Sequence, residues 1–103
     1  MSAGEVHVGD IGTVFQVTVK DETGTVVNIN SMSTKKIYLT KPNGDKLTKD
    51  AVNVTDGTDG KMKYTAVTSD IDKPGTWSIQ GYVSGTTGTW FTDISEFEVY
   101  PNL

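Results

Sequence analysis

The chain has 103 residues, a size that suits one domain with a single core, and hydrophobic residues make up 35% of it. Its net charge is −4, and all nine of its basic residues are lysines. It has no excess of basic residues and no arginine to make paired hydrogen bonds to phosphates or bases, so we expect no nucleic-acid partner. It contains no cysteine, which excludes disulfides and thiolate chemistry.

The first ten residues carry neither a basic region nor an apolar run, and no stretch approaches 18 consecutive apolar residues. We therefore expect no signal peptide and no membrane contact. Synthesis in the cytoplasm follows from the same expectation.

Alternation of apolar and polar residues is the dominant pattern, and it is typical of half-buried strands. In the first predicted strand, 13–20, Phe15, Val17 and Val19 share one face. Further strands are predicted at 25–29, 33–41, 51–55, 61–67, 76–84 and 89–100. Their predicted inward side chains are Ile37, Leu39, Val52, Val54, Met62, Tyr64, Ala66, Trp77, Ile79, Gly81 and Val83.

Turn signals separate these runs: DETG at 21–24, PNGD at 42–45, DGTDG at 56–60 and GTTG at 85–88. No window supports a helix of three turns. About seven short strands with regular turns predict an all-β, immunoglobulin-like β-sandwich, formed by residues 1–103 as a single domain.

The last strand contains a change of phase. Trp90 and Ile94 share one parity, whereas Phe97 and Val99 share the other. A regular strand cannot bury both sets on one face, so we predict one extra residue, a β-bulge, near Ser95 and Glu96. The alternative is a strand that switches sheets at that point.

Aspartates among glycines raise the question of calcium. An EF-hand loop beginning at Asp56 loses its ligand at position 5, where Gly60 lies, and one beginning at Asp70 has Pro74 there. Neither loop fits, and no metal or cofactor site is assigned. A calcium site shared between loops stays open, built from Asp10, Asp56, Asp59, Asp70 and Asp72.

Catalytic motifs are also missing from the sequence. The single histidine, His7, lies in a predicted edge strand, and no G-x-S-x-G motif accompanies it. Glu96 and Glu98 share a face of the last strand, which is simply a charged edge. We assign no catalytic residue and expect no enzymatic activity.

Aromatic residues divide between the core and the surface. Trp77 has the inward parity expected of the inter-sheet tryptophan of a sandwich, and Trp90 is predicted to be a second core or rim aromatic. Tyr82 and Phe91 have the opposite parity and are predicted to face outward. Exposed aromatics can bind sugars, so a carbohydrate-binding module is the alternative reading.

The segment 56–83, DGTDGKMKYTAVTSDIDKPGTWSIQGYV, resembles the immunoglobulin-like domains of tailed-bacteriophage virion proteins. It is most similar to the N-terminal domain of phage baseplate upper proteins. VTVKDETGTVVNI at 17–29, IYLTKPNGDKLTKDA at 37–51 and DISEFEVYPNL at 93–103 fit the same plan.

The resemblance implies a non-enzymatic structural or accessory protein of the virion, made in the host cytoplasm. Its expected partners are other virion proteins, with multiple copies on a lattice or a homo-oligomer, and weak glycan contact if it aids attachment to the host surface. The expected contact residues are Tyr38, Tyr82, Phe91, Tyr100 and Leu103.

Overall fold

The computed structural model describes residues 6–86 and 88–102, and this part of the chain forms two β-sheets. The strands are β1 Val6–His7, β2 Val14–Thr18, β3 Thr34–Thr40, β4 Lys46–Asp50, β5 Val52–Asn53, β6 Lys61–Thr65, β7 Gly75–Gly85, β8 Gly88–Phe91 and β9 Ser95–Tyr100. The large sheet has the order β1-β9-β7-β3-β4, with β8 also paired to β7, and the small sheet has the order β2-β6-β5.

The core lies between the two sheets and is built from the alternating side chains. Phe15, Ile37, Met62, Trp77 and Val83 are each at most 1% exposed. The Phe97 ring joins the sheets, because its centroid lies 5.1 Å from Phe15 and 6.0 Å from Trp77. The indole N–H of Trp77 donates to the Lys73 carbonyl at 3.0 Å, so the buried ring has its one polar group satisfied. The predicted core position of Trp77 is confirmed.

Two glycines give the DGTDGK stretch its turn. Gly57 and Gly60 have φ of 86° and 71°, a region that side chains with a Cβ rarely adopt. The Asp56 carboxylate accepts from the Thr58 amide and hydroxyl, and the Asp59 carboxylate from the Lys61 amide. This stretch joins β5 to β6, as the alternation on both sides predicted.

The inward parity predicted for 51–55 is wrong. Val52 is 58% exposed, whereas Ala51 is buried and the Asn53 backbone lies opposite Met62. β5 pairs with β6 over only two residues. The inward face of this segment is therefore set by the burial of Ala51 and not by the valines. The strand predicted at 25–29 is also absent from the described structure: an isolated bridge joins Lys20 to Val26, and no ladder continues it.

The predicted bulge is confirmed, at a slightly earlier position. On β7, Tyr82 lies opposite Phe91 and Ile79 lies opposite Ser95. Ile79 and Tyr82 are three residues apart, whereas their partners Phe91 and Ser95 are four residues apart. One extra residue therefore lies between β8 and β9, within 92–94. Ile94 in this segment is 66% exposed.

Candidate binding surface

Three aromatic side chains form a continuous stripe on the outer face of the large sheet. Tyr38, Tyr82 and Phe91 come from β3, β7 and β8, and we call them the aromatic row. The ring centroids of Tyr38 and Tyr82 lie 6.2 Å apart, and those of Tyr82 and Phe91 lie 4.9 Å apart. Phe91 is 56% exposed and both tyrosines are half-buried. The structure thus brings together three of the five predicted contact residues.

Strand alternation explains why these three side chains face outward. Each is next in sequence to a side chain that packs into the core: Ile37 for Tyr38, Val83 for Tyr82 and Trp90 for Phe91. Successive side chains of a strand point to opposite faces, so the row follows from the burial of its neighbours. The order β3-β7-β8 then places the three rings side by side.

Hydrogen bonds of Thr92, in the bulge after β8, hold Phe91 in position. The Thr92 hydroxyl accepts from the Gly81 amide at 2.7 Å, and the Thr92 amide donates to the Gly81 carbonyl at 2.9 Å. The Gln80 side-chain amide donates to the Thr92 carbonyl at 2.9 Å. Thr92 is 8% exposed, so this anchor holds the residue after Phe91 against the middle of β7.

Charges of opposite sign lie at the two ends of the aromatic row. Lys46 is exposed, and its ammonium lies 5.4 Å from the centre of the Tyr38 ring, within cation–π range. Asp93 and Glu96 are exposed just beyond Phe91 in the chain. The row therefore has a basic end and an acidic end, which can orient a partner.

The two remaining predicted contact residues do not join this row. Tyr100 is 41% exposed, and its ring lies 5.9 Å from His7 at the end of β9 where β1 pairs. Leu103 lies outside the described residues.

The sequence did not predict a polar cluster around the buried carboxylate of Asp70. Asp70 is 5% exposed and accepts hydrogen bonds from the Tyr64 hydroxyl and, at 2.9 Å, from the Val67 amide. The Lys49 ammonium lies 2.9 Å from its other oxygen. An aspartate next to an apolar residue in a loop gives no pattern that would have revealed this.

The cluster shifts the ionisation of all three side chains. Burial acts to raise the pKa of Asp70, but hydrogen bonds from Tyr64, Val67 and Lys49 outweigh burial and lower it below its usual value. The hydrogen bond to Asp70 raises the pKa of Lys49. Burial, followed by the contact with Asp70, raises the pKa of Tyr64. All three groups hold their ordinary charge at neutral pH. The ionised Asp70 carboxylate therefore joins Lys49 of β4 to Tyr64 of β6.

The aspartates proposed to converge on calcium have other partners. Asp10 accepts from the His7 amide, Asp56 and Asp59 hold the turn before β6, and Asp72 pairs with Lys41 at 2.9 Å. Within residues 6–86 and 88–102, no three His, Cys, Asp or Glu side chains are grouped so as to hold a metal ion. The same part of the chain contains no helix long and apolar enough to cross a membrane.

Comparison with known proteins identifies the fold. No family model matches the chain, and no curated protein matches it either. Among solved structures it is similar to the crystal structure of CopC from Methylosinus trichosporium OB3b, with a TM-score of 0.57 and 15% identity over 98% of this chain and 90% of that one. The chain therefore has an all-β, CopC-like immunoglobulin-like fold, with two sheets forming a sandwich, and the predicted fold class is confirmed.

The identification with phage virion proteins is wrong. The matching structure is CopC, a periplasmic copper-binding protein and not a phage structural protein. The quoted motifs are strands joined by glycine, proline and aspartate turns, which many sandwiches require for purely local reasons. The predicted virion function is therefore wrong, and so is the alternative of a module that aids attachment to the host surface.

Copper does not fit the side chains that the structure describes. Copper sites use imidazole, thiolate or thioether ligands. The chain has one histidine and no cysteine, and Met62 and Met32 are packed in the core, at 0% and 7% exposure. At 15% identity the likeness to CopC concerns the fold, and these residues supply no copper site.

Proposed function

We propose that the chain is a non-enzymatic binding module that docks onto a partner protein through the outer face of its large sheet. The aromatic row carries the proposal, because three rings from three strands make one contiguous stripe on the outer face of the large sheet. Clustered aromatics dominate the energy of protein interfaces, since each buries a large area at a low cost in side-chain entropy.

The scaffold under the row is rigid, which favours binding. Ile37, Leu39 and Val83, which alternate with the two tyrosines, are fully buried. Side chains on such strands are held in place before binding, so less conformational freedom is lost on association. Lys46 at one end, and Asp93 and Glu96 at the other, add charge complementarity that fixes the orientation of the partner.

The absence of an enzymatic role belongs to the same proposal. His7 lies at the β1 edge, while the buried carboxylate of Asp70 is taken up by Tyr64 and Lys49. With both of its oxygens bonded, Asp70 has the role of a structural carboxylate and not of a general acid or base.

The test compares two variants that each replace two apolar side chains by serine. One carries Tyr82→Ser and Phe91→Ser in the aromatic row. The other carries Val52→Ser and Val67→Ser, two side chains that are 58% and 53% exposed outside the large sheet. A protein captured by the wild type is identified, purified and titrated against all three forms by calorimetry.

We expect the row variant to weaken binding by about a hundredfold or more and the control to bind as the wild type does, because interface aromatics contribute about 2 kcal/mol or more each. Equal binding by the row variant would overturn the proposed surface. Sedimentation of the chain alone tests whether the partner is a second copy of it. If the chain self-associates and the row variant does not, the proposed surface is supported and the partner is a second copy.

A further inference from the structure

The outer edge of β2 is not paired within the described part of the chain. In the small sheet, β2 pairs with β6 on one side, and no strand of residues 6–86 or 88–102 pairs with the other. Such an edge presents free backbone donors and acceptors that can template another strand.

The hydrogen bonds at the two ends of β2 show which backbone groups are free. The Ala66 amide donates to the Thr13 carbonyl and the Val19 amide donates to the Gly60 carbonyl, both at 2.8 Å. Backbone groups alternate in direction along a strand, so odd-numbered residues of β2 face β6. The N–H and C=O groups of Val14, Gln16 and Thr18 consequently point to the open edge.

A groove of about 630 Å³ runs along this edge. Phe15 and Val17 of β2 line one side, and Phe97 of β9 and Ile79 of β7 line the other. The Phe15 and Phe97 rings meet 5.1 Å apart. β1 pairs with β9 at Val99 and Tyr100, so the first half of β9 leaves this side of the sandwich open. An apolar floor beside a free strand edge suits a strand that points every second side chain inward.

The rim of the groove is acidic. Four of the lining residues are acidic, Asp21, Glu22, Asp93 and Glu96, against one basic residue, Lys20. Hydrogen bonds from the Thr23 hydroxyl and the Thr25 amide hold the pKa of Asp21 below its usual value, so Asp21 is ionised at neutral pH. A basic segment is therefore favoured over an acidic or neutral one.

We propose that the groove binds an extended segment of a partner protein in which branched apolar residues alternate with lysine or arginine, and that this segment adds to the small sheet beside β2. Its backbone pairs with Val14, Gln16 and Thr18, its apolar side chains cover the half-buried Val17 and Phe97, and its basic side chains meet the acidic rim. The groove shares Phe91, Asp93 and Glu96 with the surface of the proposed function, but its defining contacts are the backbone groups of β2, which that function does not use, so the two proposals fail on different measurements.

The test uses synthetic nonapeptides and the full chain. The first peptide alternates valine with lysine, the second alternates valine with glutamate, and the third is the first with its valine amides N-methylated. We expect the first to bind, the second to bind at least about tenfold more weakly because of the acidic rim, and the third to lose binding because strand addition needs backbone donors.

Amide hydrogen exchange locates the added strand. The amides of Val14, Gln16 and Thr18 gain protection when the first peptide binds, while those of Phe15 and Val17, which face β6, are protected with or without it. Glu96→Lys weakens the first peptide by about fivefold, whereas the control Glu98→Lys, two residues along β9 and outside the groove, leaves it unchanged.

Three results would overturn the inference. One is the absence of binding by the first peptide, and another is equal binding of all three peptides. The third is protection of Val14, Gln16 and Thr18 that rises with protein concentration alone, which would make a second copy of this chain the occupant of the groove.

Discussion

The Lys49 ammonium lies 2.9 Å from a carboxylate oxygen of Asp70, joining the edge strand of the large sheet to the loop that follows the small sheet. The same ammonium lies 5.8 Å from the centre of the Tyr64 ring on β6. Asp70 is 5% exposed, so this contact is a buried tie between the two layers of the sandwich.

Asp70→Ala is expected to lower the free energy of unfolding by about 3 kcal/mol, because it leaves the Tyr64 hydroxyl and the Val67 amide without their acceptor. Urea unfolding measures the loss. Asp50→Ala is the control: it removes the carboxylate of the exposed Lys36–Asp50 pair and should cost at most about 0.5 kcal/mol. Equal losses in the two variants would contradict a special role for the buried cluster.

Stability should also depend on pH through Asp70. Its pKa is lower in the folded chain than the usual 3.8, so the unfolded chain binds the proton more readily. The stabilisation is therefore complete above the unfolded pKa and is lost as pH falls through the folded one. Unfolding curves between pH 5 and pH 2 should show a smaller decline for Asp70→Asn than for the wild type. A parallel decline in the two proteins would show that other carboxylates account for the acid sensitivity.

On the alkaline side the sign reverses. The pKa values of Lys49 and Tyr64 are raised in the folded chain, so their contributions are present below the unfolded values of 10.5 and 10.0 and disappear as pH rises through the folded ones. Thermal melts between pH 9 and pH 12 should show a steeper loss of stability for the wild type than for the double variant Lys49→Met with Tyr64→Phe. An unchanged slope in the double variant would remove this pair from the explanation.

Gly81→Ala should destabilise the sandwich by about 2 kcal/mol. A Cβ at this position would lie 2.7 Å from the terminal methyl of Met62 and 2.8 Å from a methyl of Val17, too close for a packed core. It would also approach Thr92 and so disturb the anchor behind Phe91. Ser78→Ala on the outer face of β7 is the matched control and should change the unfolding midpoint little. A neutral Gly81→Ala would mean that Met62 and Val17 can move aside.

The two glycine turns should respond differently to alanine. Gly60 has a φ of 71°, and a Cβ there would lie 2.5 Å from a methyl of Val26 and 2.9 Å from the Val19 carbonyl oxygen. Strain and collision act together, so we expect a loss of about 3 kcal/mol. Gly24 has a φ of 86° but opens onto free space, so alanine there should cost about 1 kcal/mol. Denaturant unfolding of both variants checks the order, and a larger loss at Gly24 would contradict it.

The misleading family resemblance has a physical explanation. Turns such as PNGD and DGTDG need glycine for positive φ and aspartate or asparagine to bond the backbone, whatever protein contains them. Alternating strands between such turns meet the same local requirements. The quoted stretches therefore describe a sandwich correctly and identify its relatives wrongly.

The sequence by itself determined the local features of this structure. Period-two alternation predicted that Phe15, Ile37, Met62 and Trp77 are buried, since a strand with one face against a core cannot place them elsewhere. The change of parity after Trp90 predicted a bulge, because one inserted residue is the smallest change that restores the inward face. The outward direction of Tyr38, Tyr82 and Phe91 followed in the same way.

Only the tertiary structure decided which of these pieces meet. The aromatic row depends on the order β3-β7-β8, and Tyr38 is 44 residues from its neighbour Tyr82. The free edge of β2 and the tie between Lys49 and Asp70 likewise depend on which distant strands become neighbours. Local periodicity gives the direction of each side chain but carries no information about strand order, which is set by how the two sheets bury their faces together.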